Sequence, residues 1–200
     1  MSATRFPLRA LLATASLPLL LAGCISFGAD PPDKLLTLTP TATAAIGSGA
    51  TGGEASAITL VDFEAPARLD VLRVPVQIND SEIAYLVDAT WVERPSRLFR
   101  RLIAETLRAQ SDRVVVDGDD PGVAANTRLT GVVREFGYDA RTSSVVIRFD
   151  AIRTEAGGAG VTTRRFEAVI PDVVAESGPV GEALNRAANQ VAGEVAAWVL

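Results

Sequence analysis

The 200-residue chain contains no histidine and one cysteine. The first absence removes Ser-His-Asp and Cys-His catalysis and the usual histidine-based zinc sites. A lone cysteine builds neither a disulfide framework nor a thiolate metal site. There is no P-loop and no GxGxxG pattern, so the common nucleotide-cradling fingerprints are missing. The apolar stretch at 10–22 is too short for a transmembrane helix, which needs about 20 residues, and Pro18 interrupts it. The formal net charge is −5. An acidic chain lacks the basic patch that nucleic acid requires and has no long-range attraction to anionic head groups. No cofactor is expected.

What is present begins at the N-terminus. Arg5 and Arg9 precede the apolar run, and small residues lead to Leu21-Ala22-Gly23-Cys24. This is the layout of a secretory signal, a basic start followed by an apolar region of about 7–15 residues and a small-residue cut site. The four residues resemble the bacterial lipobox. That resemblance implies cleavage before Cys24, a diacylglyceryl group on its thiol and acylation of the new amine. Two or more acyl chains hold a protein stably on a bilayer, each buried CH₂ adding about 0.8 kcal/mol. The competing reading is an ordinary signal peptide with a chance cysteine near the cut. Ile25 follows the cysteine where an aspartate would mark inner-membrane retention in enterobacteria, so the resemblance favours the outer membrane, its inner leaflet facing the periplasm.

Residues 1–23 are therefore read as the signal, 24–56 as a lipid-anchored linker, and 57–200 as the domain. Asp30-Pro31-Pro32-Asp33 is a stiff spacer. Residues 34–40 suit a short edge strand ended by Pro40. From 41 to 56 the chain is mostly Ala, Gly, Thr and Ser, with Ile46 as its large apolar residue. That composition predicts a mobile segment.

In the domain, residues 57–63, 69–78 and 83–87 read as strands rich in β-branched residues. Pro75 signals an edge position or a bulge. Trp91-Val92-Glu93-Arg94-Pro95 leads into a helix whose Leu98, Phe99, Leu102, Ile103 and Leu107 recur at helical spacing. Pro95 suits its first turn. Five arginines (94, 97, 100, 101 and 108) occupy much of the rest, as a solvated face or as a contact surface. Residues 113–116 form a further strand. The acidic run 117–122 is a turn, because the EF-hand spacing and terminal glutamate are missing. Three strands at 127–138, 143–154 and 161–170, separated by turn residues, predict an antiparallel meander. Val145, Ile147, Phe149 and Ala151 share one face and Arg148 and Asp150 the other, as in a sheet covered on one side. Gly131 and Gly137 mark bulges or close packing. Residues 177–200 form a second helix, in which the alanines and Gly193 permit close packing on the sheet. The fold class is α/β, a compact sandwich of a mixed, largely antiparallel sheet with two main packed helices.

These stretches together resemble the ABC-type transport auxiliary lipoproteins, the family that includes the lipoprotein of the paraquat-inducible operon. The resemblance rests on the lipobox followed by 35–40, on Leu72-Arg73-Val74-Pro75-Val76 followed by Ile83-Ala84-Tyr85, on 91–95 running into the amphipathic helix, and on the Trp198-Val199-Leu200 end. It implies an α/β sandwich without catalytic residues. It also implies work beside an ABC transporter and a substrate-binding protein of the mammalian-cell-entry (MCE) type that move lipid between two membranes. The alternative is a stand-alone envelope lipoprotein that itself binds a lipid or apolar ligand. Candidate partner or ligand contacts are Tyr85, Trp91, Arg97, Phe99 and Arg101. An enzyme is not expected, since no local motif places its acids for acid–base work.

Overall fold

A computed structural model describes residues 34–52, 57–118, 125–158 and 160–200. The signal, Cys24, the 30–33 spacer, the end of the 41–56 linker and most of the acidic 117–122 turn lie outside the described residues. The elements are β1 (Ile58–Leu60), β2 (Arg73–Gln77), β3 (Ile83–Thr90), α1 (Pro95–Gln110), β4 (Val115–Asp117), β5 (Thr127–Asp139), β6 (Ser144–Glu155), β7 (Gly160–Ile170) and α2 (Ser177–Val199).

The long strand β5 organises one seven-stranded sheet. Along one edge it pairs antiparallel with β6, which pairs antiparallel with β7. Its other edge is divided. The N-terminal end takes β1 in parallel, and β1 takes β4 in parallel. The C-terminal end takes β2 in parallel, and β2 takes β3 antiparallel. The sheet is thus mixed and the expected β5-β6-β7 meander is present.

Both helices cover the same face of the sheet. Val145, Ile147, Phe149 and Ala151 on β6 are fully buried beneath them, while Arg148 and Asp150 lie on the other face. On α1 the five apolar positions at helical spacing are all buried. Pro95 occupies the first turn, where a missing N–H costs nothing. On α2 the buried stripe runs from Val180 to Val199 and consists of alanine, valine and one leucine. Small side chains let this helix lie close to β6 and β7.

Several local expectations change. The strand expected at 69–78 begins at Arg73, because Leu69 and Asp70 donate their N–H groups to Pro66 O in a turn. Of the two readings of Pro75, the bulge holds and the edge does not: it lies within the sheet at a register shift against β3. Gly131 and Gly137 are packing glycines. A Cβ on Gly131 would collide with Asp150 O and the Phe149 ring, and one on Gly137 with Pro75 O. Gly193 is not one, since a Cβ there meets nothing within 4 Å. The tight glycine of α2 is Gly181, where a Cβ would stand 2.7 Å from a Leu36 methyl.

The segment before β1 also differs from expectation. Leu36 forms one parallel bridge to Trp91, donating to Thr90 O and accepting from Val92 N. The chain then crosses α2 as an extended strap. Asn185 Oδ1 accepts from Thr39 N at 2.8 Å, and Asn189 Oδ1 accepts from Thr41 N at 2.8 Å. Asn189 Nδ2 donates to Thr39 O at 2.9 Å. Glu105 on α1 accepts from Ala44 N at 2.9 Å. Residues 41–44 are therefore bound to the domain, where the composition predicts mobility. Their short side chains allow the backbone to approach the helix, and two amide side chains one turn apart read it.

Candidate functional site

The aromatic candidates lie in the core. Phe99 is fully buried at the centre of a cluster of rings. Its centroid is 5.4 Å from Phe149, 5.8 Å from Phe136 and 6.2 Å from Phe63. Trp91 is also buried, edge-on to Phe136 at 5.7 Å. These tilted and edge-to-face pairs are favourable ring geometries. Neither residue can touch a partner or a ligand without unfolding this cluster, which corrects their assignment as contact residues. The physical reason is that β-bridge pairing with Leu36 turns the Trp91 side chain inward, and α1 presents Phe99 on its apolar stripe. Tyr85 does reach the surface. It is half-buried on β3, and the Arg73 guanidinium lies 4.5 Å from its ring centroid, a cation–π contact.

The arginines of α1 are mostly committed. Arg97 and Arg101 are half exposed and share one carboxylate, that of Glu93, at 3.9 Å and 2.6 Å. Arg94 pairs with Asp70 at 2.9 Å. Arg108 pairs with Glu105 at 3.6 Å and donates to Val115 O at 3.2 Å. Arg100 is the exception in burial. Its side chain is only 10% exposed; it contacts Asp117 and lies 3.4 Å from Asp62. The arginines on α1 look alike in the sequence, and nothing in their spacing distinguishes the one that anchors the helix to β4. Arg97 and Arg101 remain on the surface but are partly neutralised.

The richest polar arrangement is one the sequence reading did not single out. The face of the sheet away from the helices carries a lattice of alternating charges across β5, β6 and β7. Asp150 accepts from Arg134 Nε at 2.8 Å and from Arg165 Nε at 2.5 Å. These guanidinium hydrogen bonds, Arg165's foremost, hold the Asp150 carboxyl down at about 2 against the opposing effect of burial. Arg148 Nε donates to Glu167 at 2.5 Å, and Glu135 is held by Arg68 at 2.9 Å. At the turn end, Arg141 lowers Asp139 by a bidentate hydrogen bond. A solvent-open cavity of about 290 Å³ sits there, lined by Arg68, Gln77, Glu135, Asp139, Arg141 and Arg148 among others. A second, of about 270 Å³, lies where the strap meets the end of α1 at Ser48, Arg108 and Ser111. Neither is lined by Tyr85, Trp91 or Phe99. Among the described residues no group of His, Cys, Asp and Glu could hold a metal ion.

The fold has solved counterparts. A Xanthomonas campestris protein of the DUF330 family superposes with a TM-score of 0.67 at 17% identity, covering 82% of this chain and 94% of that one. A second solved protein, described as uncharacterized, superposes with a TM-score of 0.64 at 14% identity, covering 84% of this chain and all of the other. At such identity these likenesses show the fold alone. No curated protein sequence matches the chain. Residues 36–196 match the family described as ABC-type transport auxiliary lipoprotein component. That match starts at the Leu36 bridge and runs through β1–β7 to the last turn of α2, so the chain belongs to the ABC-type transport auxiliary lipoprotein component family.

Proposed function

We propose that this protein is a lipid-anchored accessory subunit of an ABC/MCE-type intermembrane lipid transport system and that it acts by protein–protein contact. The observation that carries this reading is the family match over residues 36–196 behind a lipobox-like Cys24. Cys24 carries a diacylglyceryl group and an N-acyl chain and places the domain at the inner leaflet of the outer membrane, facing the periplasm. Its partners are an MCE-domain protein and the ABC transporter subunits. It is not a catalyst.

Two structural features support contact as the mode of action. Two of the three aromatic residues that could have lined an apolar ligand site, Trp91 and Phe99, are consumed by the core. The open face of the sheet instead carries paired charges, which confer specificity and orientation on an encounter more than raw affinity. The hydrogen-bonded strap shortens the free tether. Attachment begins at Leu36 rather than Ala57, so a chain lipidated at Cys24 has about 12 residues to span, roughly 40 Å at full extension. The domain works within that distance of its bilayer.

The test is crosslinking in the native envelope followed by mass spectrometry. Recovery of an MCE-domain protein or a transporter subunit is expected. Recovery of unrelated outer-membrane proteins alone would overturn the reading. Metabolic labelling with an alkyne fatty acid tests the anchor independently, with label expected on the wild type and lost in Cys24→Ser.

A further inference from the structure

The outer edge of β7 has a chemistry of its own. The sheet ends at three strands: β3, β4 and β7. Exposed edges carry rows of unpaired N–H and C=O groups, and proteins usually blunt them with short strands, bulges or a covering segment. β4 is three residues long. β3 is interrupted by the register shift opposite Pro75 and by Asp88 at φ 53°, and the strap bridges its end. β7 has none of these three devices; its one blunting feature is charge, carried by Arg164, Arg165 and Glu167. It is 11 residues long and lacks proline, and it pairs with β6 in unbroken register from Gly160 to Ile170. Among the described residues β6 is its only strand neighbour.

We infer that the free edge of β7 pairs antiparallel with β7 of a second copy of this chain, with Phe166 on the two-fold axis. Symmetry restricts the choice of register. Residues opposite each other across a two-fold must lie on the same face of the sheet, so one residue always faces its own copy. Centring on Arg164, Arg165 or Glu167 sets like charges directly opposite, which is destabilising. Centring on Phe166 sets Arg165 opposite Glu167 of the second copy, and Glu167 opposite Arg165, in the same step. It also sets Thr163 opposite Val169, which is 47% exposed in the single chain.

That register continues the charge lattice already present. Within one chain Arg148 lies beside Glu167, and Arg165 beside Asp150. Across the two-fold the row becomes Arg148, Glu167, Arg165 and Asp150, alternating in sign from β6 of one copy to β6 of the other. Glu135 and Arg134 on β5 extend it at the two ends, being bonded or close to Arg148 and Asp150. Pairing makes a continuous sheet with the two helical layers on the same side. It leaves the strap, on α2 and α1, outside the contact.

The test uses the full chain in the bacterial envelope. Cys24 is the chain's single cysteine, so introduced thiols report alone once it is acylated; wild type is the control. Thr163→Cys with Val169→Cys is expected to give a covalent dimer on mild oxidation, because the register puts these positions opposite one another at disulfide range. Either single variant places its thiols six residues apart along the paired strands, about 20 Å, well beyond the ~7 Å limit for a bridge. The double variant should therefore yield about tenfold more dimer than either single. Equal yields, or no dimer from the double variant, would overturn the register. Native mass spectrometry of unmodified wild type provides the second measurement: a two-fold species supports the pairing, and a monomer throughout the micromolar range overturns it. Neither result depends on whether an MCE-domain partner is captured.

Discussion

Replacing Phe99 by alanine separates a packing role from a contact role. The side chain is fully buried, and burial of a phenylalanine contributes about 1.5–3 kcal/mol. Its three ring neighbours lie at 5.4, 5.8 and 6.2 Å, and such pairs add about 0.5–1.5 kcal/mol each beyond area. Because α1 and the sheet cannot close fully over the gap, the expected loss is about 4 kcal/mol, within the ~3–5 kcal/mol seen for Phe→Ala in cores. That is a large share of the ~5–15 kcal/mol that holds a domain together. Phe99→Leu keeps most of the volume and forfeits the edge contacts, so about 1–2 kcal/mol is expected. Urea unfolding followed by tryptophan emission is the assay, with Trp91 and Trp198 as reporters. Each kcal/mol should also move Tm by about 2–4 °C in a chain of this size. A Phe99→Ala variant that loses less than about 1 kcal/mol, with an unchanged unfolding slope, would refute the core placement and restore Phe99 as a contact residue.

Other outcomes follow from the same geometry. Asp117→Ala leaves the Arg100 guanidinium buried with only Asp62 nearby, and should cost about 2–3 kcal/mol by denaturant unfolding, more than loss of either exposed Arg97 or Arg101 pairing. Asn189→Ala removes the amide that both donates to and accepts from the strap; hydrogen exchange at Thr41 should speed up at least about tenfold while β5 and β6 exchange is unchanged. Gly131→Ala forces a methyl against the Asp150 carbonyl and the Phe149 ring and should destabilise by about 2 kcal/mol or more. The Asp150 carboxyl, held at about 2 against an ordinary 3.8, contributes stability that is fully present above about pH 5 and lost as pH falls toward 2. Asp150→Asn should therefore flatten the stability profile over that acid range, with a difference from wild type that is largest at neutral pH.

The charge lattice on the open face explains why so much of this surface escaped the sequence. Arg134, Arg148, Arg165, Glu135, Asp150 and Glu167 come from three different strands. Their pairing depends on cross-strand register, including the shift between Val133 and Glu135. Period-2 alternation within a strand says which residues share a face, not which residue of the next strand stands opposite. The same holds for Arg100, whose burial follows from where β4 lies beside α1.

Local chemistry alone was enough for the elements with a strong period. The two amphipathic helices, the β5-β6-β7 hairpins and the buried face of β6 follow from side-chain spacing, because burying a regular stripe is the dominant favourable term. The lipobox-like Leu21-Ala22-Gly23-Cys24 pattern and the absence of histidine are equally direct to read, since they depend on residue identity and not on geometry. Tertiary structure decided the rest. It divided one edge of β5 between β1 and β2, turned Trp91 inward against Phe136, bound a low-complexity strap to α2 through Asn185 and Asn189, and left β7 as the one long edge without a bulge. Each is a non-local pairing between segments far apart in sequence, and no local propensity encodes which distant backbone will supply the partner.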